Sequence, residues 1–174
     1  LVKPLKLFLE KFGVQIDLNE SLIDWMGEKF FLLNDTLKDL AVRIPRKYYY
    51  AGVLLGELKN DFFLPSFPLI SMIAEKVENK IFVNDKTAWL FICGRDIFKE
   101  GITRVEGSTR KGDYTLILNK YGECLGFGVI KQNPQEAEKG VVVKNILDLG
   151  DFLRREQKPN LKSEKNLKSS TKKI

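Results

Sequence analysis

Tyr114-Thr-Leu-Ile-Leu-Asn-Lys-Tyr-Gly-Glu-Cys-Leu-Gly-Phe-Gly-Val-Ile130 is the stretch that decides the fold. Two apolar runs, Tyr114–Leu118 and Cys124–Ile130, flank a polar Asn119-Lys-Tyr-Gly122. β-Branched and aromatic residues bounded by Asn and Gly read as a hairpin with a short loop. Gly126 and Gly128 interrupt the second run. Glycine inside a strand costs stability, so it marks a bulge or a close backbone approach. A third β run, Gly140-Val-Val-Val-Lys144, follows closely. Short strands at this spacing predict a small barrel or sandwich.

The composition is that of a globular protein, 44% hydrophobic and 30% charged. No apolar run approaches the roughly 20 residues of a membrane span. Leu1-Val-Lys-Pro4 lacks a signal-peptide layout, so we expect a cytoplasmic protein with no membrane partner. Two cysteines, Cys93 and Cys124, fall in apolar runs that read as strands; they are expected to be buried thiols in a reducing cytosol. There is no histidine, which removes Ser-His triads, imidazole acid–base catalysis and His-ligated metals together. Gly52-Val-Leu-Leu-Gly-Glu57 is not a dinucleotide fingerprint, and no P-loop pattern occurs. The expectation is a protein without enzymatic activity, cofactor or metal.

The net charge is +6, and its position matters more than its size. From Arg154 to Ile174 there are eight Lys or Arg against two Glu, while the rest of the chain carries 21 of each sign. A basic segment beside a neutral body suits a polyanion, most often nucleic acid; a solvated, disordered end is the plain alternative.

Upstream, Leu5, Phe8, Leu9 and Phe12 lie at helical spacing over residues 3–12, with Pro4 suiting the first turn and Gly13 the stop. Residues 14–27 read as a loop with a turn of helix near 21–25, and residues 28–33 as a strand. Asn34 or Asp35 offers an N-cap to a helix whose apolar face is Leu37, Leu40, Ala41 and Ile44, ended by Pro45. Residues 48–58 and 62–65 read as paired strands, Pro68 opens a helix, residues 80–83 read as a strand and residues 84–86 as a turn. The fold class is α+β: an antiparallel sheet with helices over 1–86, a small β-barrel over 87–156, and a basic tail, expected to be disordered, over 157–174.

Several ordered motifs carry a family resemblance. Trp89-Leu-Phe-Ile-Cys-Gly94, Ile102-Thr-Arg-Val-Glu-Gly107, Gly112-Asp-Tyr114, Leu125-Gly-Phe-Gly-Val129 and Asp148-Leu-Gly-Asp-Phe-Leu-Arg-Arg-Glu156 resemble a PUA domain. Together the last two look like the Nip-seven family of large-ribosomal-subunit biogenesis proteins in its archaeal form. The resemblance implies RNA binding during ribosome biogenesis and precursor rRNA processing, with single-stranded RNA as partner. It also leaves room for assembly or RNA-processing proteins bound through the N-terminal domain.

PUA domains contact RNA at the glycine loop after the first short helix and at the sheet edge near the chain's end. Those places hold Lys99, Gly101 and Arg104, then Arg154, Arg155, Lys158 and Lys162. Phosphates call for Lys and Arg on one surface, and unstacked bases for aromatic faces. Gly101 is expected to admit a nucleotide to the backbone. Asp148, before an apolar turn with Asp151 three residues on, reads as a helix cap rather than a base. One of Arg154 and Arg155 is expected to pair internally with Glu156 or Asp151. Nothing in these residues specifies base identity. Two rivals stay open: a protein-binding adaptor that uses aromatic residues such as 48–50 and 62–63, and a non-catalytic subunit of an RNA-modification enzyme.

Overall fold

The computed structural model describes residues 3–16, 18–44, 50–60 and 62–156. Helix α1 (Lys3–Glu10) buries Leu5, Phe8 and Leu9, the stripe that its spacing predicted. Gly13 ends the turn at φ +66°. A 3₁₀ turn at Glu20–Leu22 leads into β1 (Ile23–Met26), which pairs antiparallel with β2 (Lys29–Leu32) through Gly27-Glu28. The sequence reading had a loop with a helical turn where β1 lies.

Helix α2 (Asp35–Arg43) starts where expected, with Asn34 Oδ1 accepting the Leu37 N–H at 2.8 Å. None of its residues is fully buried, though Leu37 and Ala41 of its apolar face are half-buried. Strands β3 (Val53–Lys59) and β4 (Phe62–Pro65) complete a first sheet of order β1-β2-β3-β4, all antiparallel. Helix α3 (Phe67–Ala74) is capped by Ser66 and packs Leu69, Ile70 and Ile73 inward.

The second sheet holds β5 (Lys80–Val83), β6 (Ile97–Phe98), β7 (Ile102–Glu106), β8 (Tyr114–Leu118), β9 (Cys124–Ile130) and β10 (Val141–Asp148), in the order β6-β10-β9-β8-β5-β7. Its two edge strands are consecutive in the chain, joined by the 3₁₀ turn Lys99–Gly101. That short link draws the edges together and curls the sheet into a half-barrel. β8 and β9 form the expected hairpin. The sequence reading places β5 in the N-terminal unit, with a boundary at residue 86. It instead pairs in parallel with β8 and antiparallel with β7, so the second sheet begins at Lys80. Residues 84–86 are not a free turn: Asn84 caps helix α4 (Asp85–Ile92). Cys93 therefore ends a helix and is exposed, whereas Cys124 sits in β9 as read.

Both faces of the curled sheet are covered. Phe82, Leu116, Leu118, Phe127 and Leu147 join α1, α3 and the first sheet in one core cluster. Ile81, Val83, Ile117, Leu125 and Val143 face the other way, onto Ala88 and Phe91 of α4. A strand buried on both faces reads as a continuous apolar run, which is why 114–118 shows no alternation. The described residues close with α5 (Leu149–Glu156).

Candidate nucleic-acid interface

The end of β10, the end of α4 and the start of α5 are tied into one polar knot. The Asn145 side-chain amide donates to Phe91 O at 2.9 Å, Arg95 O at 3.4 Å and Asp148 Oδ2 at 3.2 Å. Its backbone N–H donates to Asp96 Oδ1 at 2.8 Å. Asp148 is 4% exposed and accepts the Asp151 N–H at 2.8 Å, the capping role read from sequence. Arg154 pairs with Asp148 at 3.5 Å, and the side chains of Arg155 and Glu156 lie outside the described residues. A buried carboxylate requires such partners, so α5 and its basic end are anchored to α4. A Cβ on Gly150 would collide with Ile92 O, so the backbones of the two helices touch.

The structure divides the residues singled out from sequence. Lys99 donates its ammonium to Pro134 O, which fixes it against the loop between β9 and β10. Gly101 is buried, and a Cβ there would strike the Thr87 side chain. Its bareness seats this turn on α4; it does not open the backbone to a nucleotide. Arg104 lies opposite Phe82 on the neighbouring strand and stacks on that ring at 3.6 Å, with Glu106 at 3.2 Å. Phe82 belongs to the core cluster facing α1, and α4 packs against the opposite one, so Arg104 is on the wrong face to join α4 and α5. Arg154 is exposed on α5, beside the end of α4. Arg155 is on the same helix, though its side chain is outside the described residues, as are Lys158 and Lys162.

Sequence reading missed the outer face of α4. Trp89 is 68% exposed, and Leu90, Phe98 and Leu153 are exposed around the same elements. Lys86 and Arg95 are exposed and have no ion pair among the described residues. The nearby acids are engaged: Asp85 with Lys120 at 2.7 Å, Asp96 with the Asn145 N–H, and Asp148 with Arg154. Aromatic faces interleaved with unneutralised cations are the chemistry of single-stranded RNA contact. The signal was present in Trp89-Leu-Phe-Ile-Cys93, but an apolar run of five fits strand or helix equally well.

The described residues offer little chemistry besides. They contain no cluster of three metal-ligating side chains, and no helix long and apolar enough to cross a membrane. Burial pushes the Cys124 thiol up from its ordinary value, which keeps it protonated.

Residues 79–157 match the family model described as UPF0113 PUA domain. The chain is 28% identical over 113 residues to a UPF0113 protein of Archaeoglobus fulgidus, covering 63% of this chain and 64% of that one. It thus spans just under two thirds of that relative's length. It is 25% identical over 136 residues to the 60S ribosome subunit biogenesis protein NIP7 homolog of Danio rerio, covering 75% of this chain and 76% of the relative. A conserved PUA domain protein from Thermoplasma acidophilum superposes with a TM-score of 0.56, covering 90% of this chain and 95% of that chain, at 21% identity. That likeness extends the shared fold over both sheets.

Proposed function

We propose that this PUA-domain protein, which resembles the archaeal branch of the Nip-seven family, binds single-stranded RNA and acts without catalysis in large-subunit ribosome assembly. The observation that carries the reading is the α4–α5 face. Trp89 is held out to solvent on α4, one turn after the exposed Lys86, with the exposed Arg95 just past the helix end, and Arg154 is anchored by the buried Asp148 where α5 meets the end of α4. The names of the relatives supply the setting: the Danio rerio protein is described as a biogenesis protein of the 60S subunit. Precursor rRNA is the partner that this setting implies, and the cytoplasm is the compartment in which we place it.

A protein-bound role for the N-terminal unit is a second reading, favoured by α2. That helix leaves Leu40 and Val42 exposed, and Ile44 is exposed just beyond it. Of the aromatic residues 48–50 and 62–63, Phe62 is exposed, Tyr50 is exposed beside Phe31, Phe63 is buried, and Tyr48 and Tyr49 are outside the described residues.

The direct test is titration of the whole chain with short single-stranded RNA over a salt series. The expected log–log slope is about −0.7 for each phosphate contacted. No binding, or binding indifferent to salt, would contradict the reading.

A further inference from the structure

A second site lies on the opposite face of the curled sheet. Helix α1, strand β4 and the ends of β8 to β10 enclose an open cleft of about 500 Å³. Its walls include Leu7, Phe62, Tyr114 and Ile146, with Lys3 and Lys11 among the residues lining it. Phe62 is 52% exposed. The Lys11 ammonium lies 5.2 Å from the Tyr114 ring centre and 5.6 Å from that of Phe62. Tyr114, Val129 and Lys144 stand directly opposite one another across β8, β9 and β10, so Lys144 shares this face. Among the described residues Lys3, Lys11 and Lys144 have no ion pair, and Glu10 is the one carboxylate lining the cleft.

Ring faces beside unneutralised cations match a ligand that is itself a flat ring carrying an anion. An apolar peptide would use the walls and leave the lysines idle. The position argues the same way. Leu147 lines the cleft, and the next residue, Asp148, belongs to the polar knot beneath α5. One strand of RNA lying on α4 and α5 thus reaches the cleft by crossing the end of β10. We propose that the cleft receives an unstacked base of that same strand, stacked against Phe62 and Tyr114, with its neighbouring phosphates at Lys3, Lys11 and Lys144. This rests on the RNA reading above and adds a second contact to it.

The test uses the whole chain and a short single-stranded RNA with 4-thiouridine placed at each position in turn. Photo-crosslinked peptides are then mapped by mass spectrometry. Crosslinks in residues 3–11 or 62–65, together with others on α4 and α5, are expected. Crosslinks confined to α4 and α5 would overturn the cleft proposal and leave the RNA reading standing; a chain that captures no RNA overturns both. Phe62→Ala, at a half-exposed position, is expected to weaken binding roughly 5- to 100-fold, with Phe62→Tyr close to the parent. Lys11→Gln should weaken binding and flatten its salt dependence. Unchanged affinity in both Phe62→Ala and Lys11→Gln would also overturn the proposal.

Discussion

Gly126 near the start of β9 and Asp148 at the end of β10 hold the candidate site in place. Gly126 has φ +144°, and a Cβ built there would strike Leu147 O on the neighbouring strand. It pairs with Asp148, so the approach it permits sets where the capping carboxylate begins α5. Gly126→Ala is therefore expected to destabilise the protein by about 2 kcal/mol or more, measured by urea unfolding. A change within a few tenths of a kcal/mol would contradict the close-approach account. The need for glycine was legible in the sequence, because a strand rarely spends two of seven residues on it without reason. Its partner was not legible. The Leu147 carbonyl is 21 residues away, and only the register between β9 and β10 brings it near.

At the scale of elements, local chemistry was readable and pairing at a distance was not. The β8–β9 hairpin follows from apolar runs around Asn119, whose Oδ1 accepts the Tyr121 and Glu123 N–H groups. Asn34 and Ser66 cap helices that sequence placed within a residue or two. β5 was put in the wrong sheet because nothing in residues 80–83 announces a parallel partner at 116–118. Arg104 was grouped with the α4 loop because face is a property of register: its pairing with Phe82 turns it to the opposite side. The five-residue apolar run at α4 hid Trp89 by the same limit on short periods. Trp89→Ala removes an exposed ring without touching the core, so stability should change by less than about 0.5 kcal/mol. RNA affinity is expected to drop roughly 5- to 100-fold by loss of stacking. An unaltered affinity in fluorescence anisotropy would remove α4 from the interface.

At the scale of the molecule, the two sheets share a core. Phe8 of α1 and Phe12 in the turn after it meet Phe127 of β9 with ring centres 5.7 and 5.5 Å apart, and Phe12 meets Tyr114 at 5.4 Å. Side chains of the N-terminal unit and of the curled sheet thus share one cluster. Residues 3–156 should unfold in one cooperative transition, with fluorescence and circular dichroism curves coinciding. Two resolved transitions would mean that the shared aromatic cluster does not couple the sheets.

The charge distribution belongs to this scale too, since the excess begins on α5 and continues through 157–174. Contacts to phosphate from an anchored element set register, and in this run Arg154 is anchored by Asp148. The decisive comparison is between the triple variant Arg154→Gln, Arg155→Gln, Lys158→Gln and a deletion of 163–174, each titrated with single-stranded RNA from low to high salt. Glutamine is chosen because a carboxylate at Arg154 would face the buried Asp148 and threaten α5 itself. Loss of three phosphate contacts is expected to flatten the slope by roughly 2 units, while the tail deletion changes affinity less. A triple variant that binds like the parent, beside a tail deletion that abolishes binding, would contradict the account and place RNA on the tail alone.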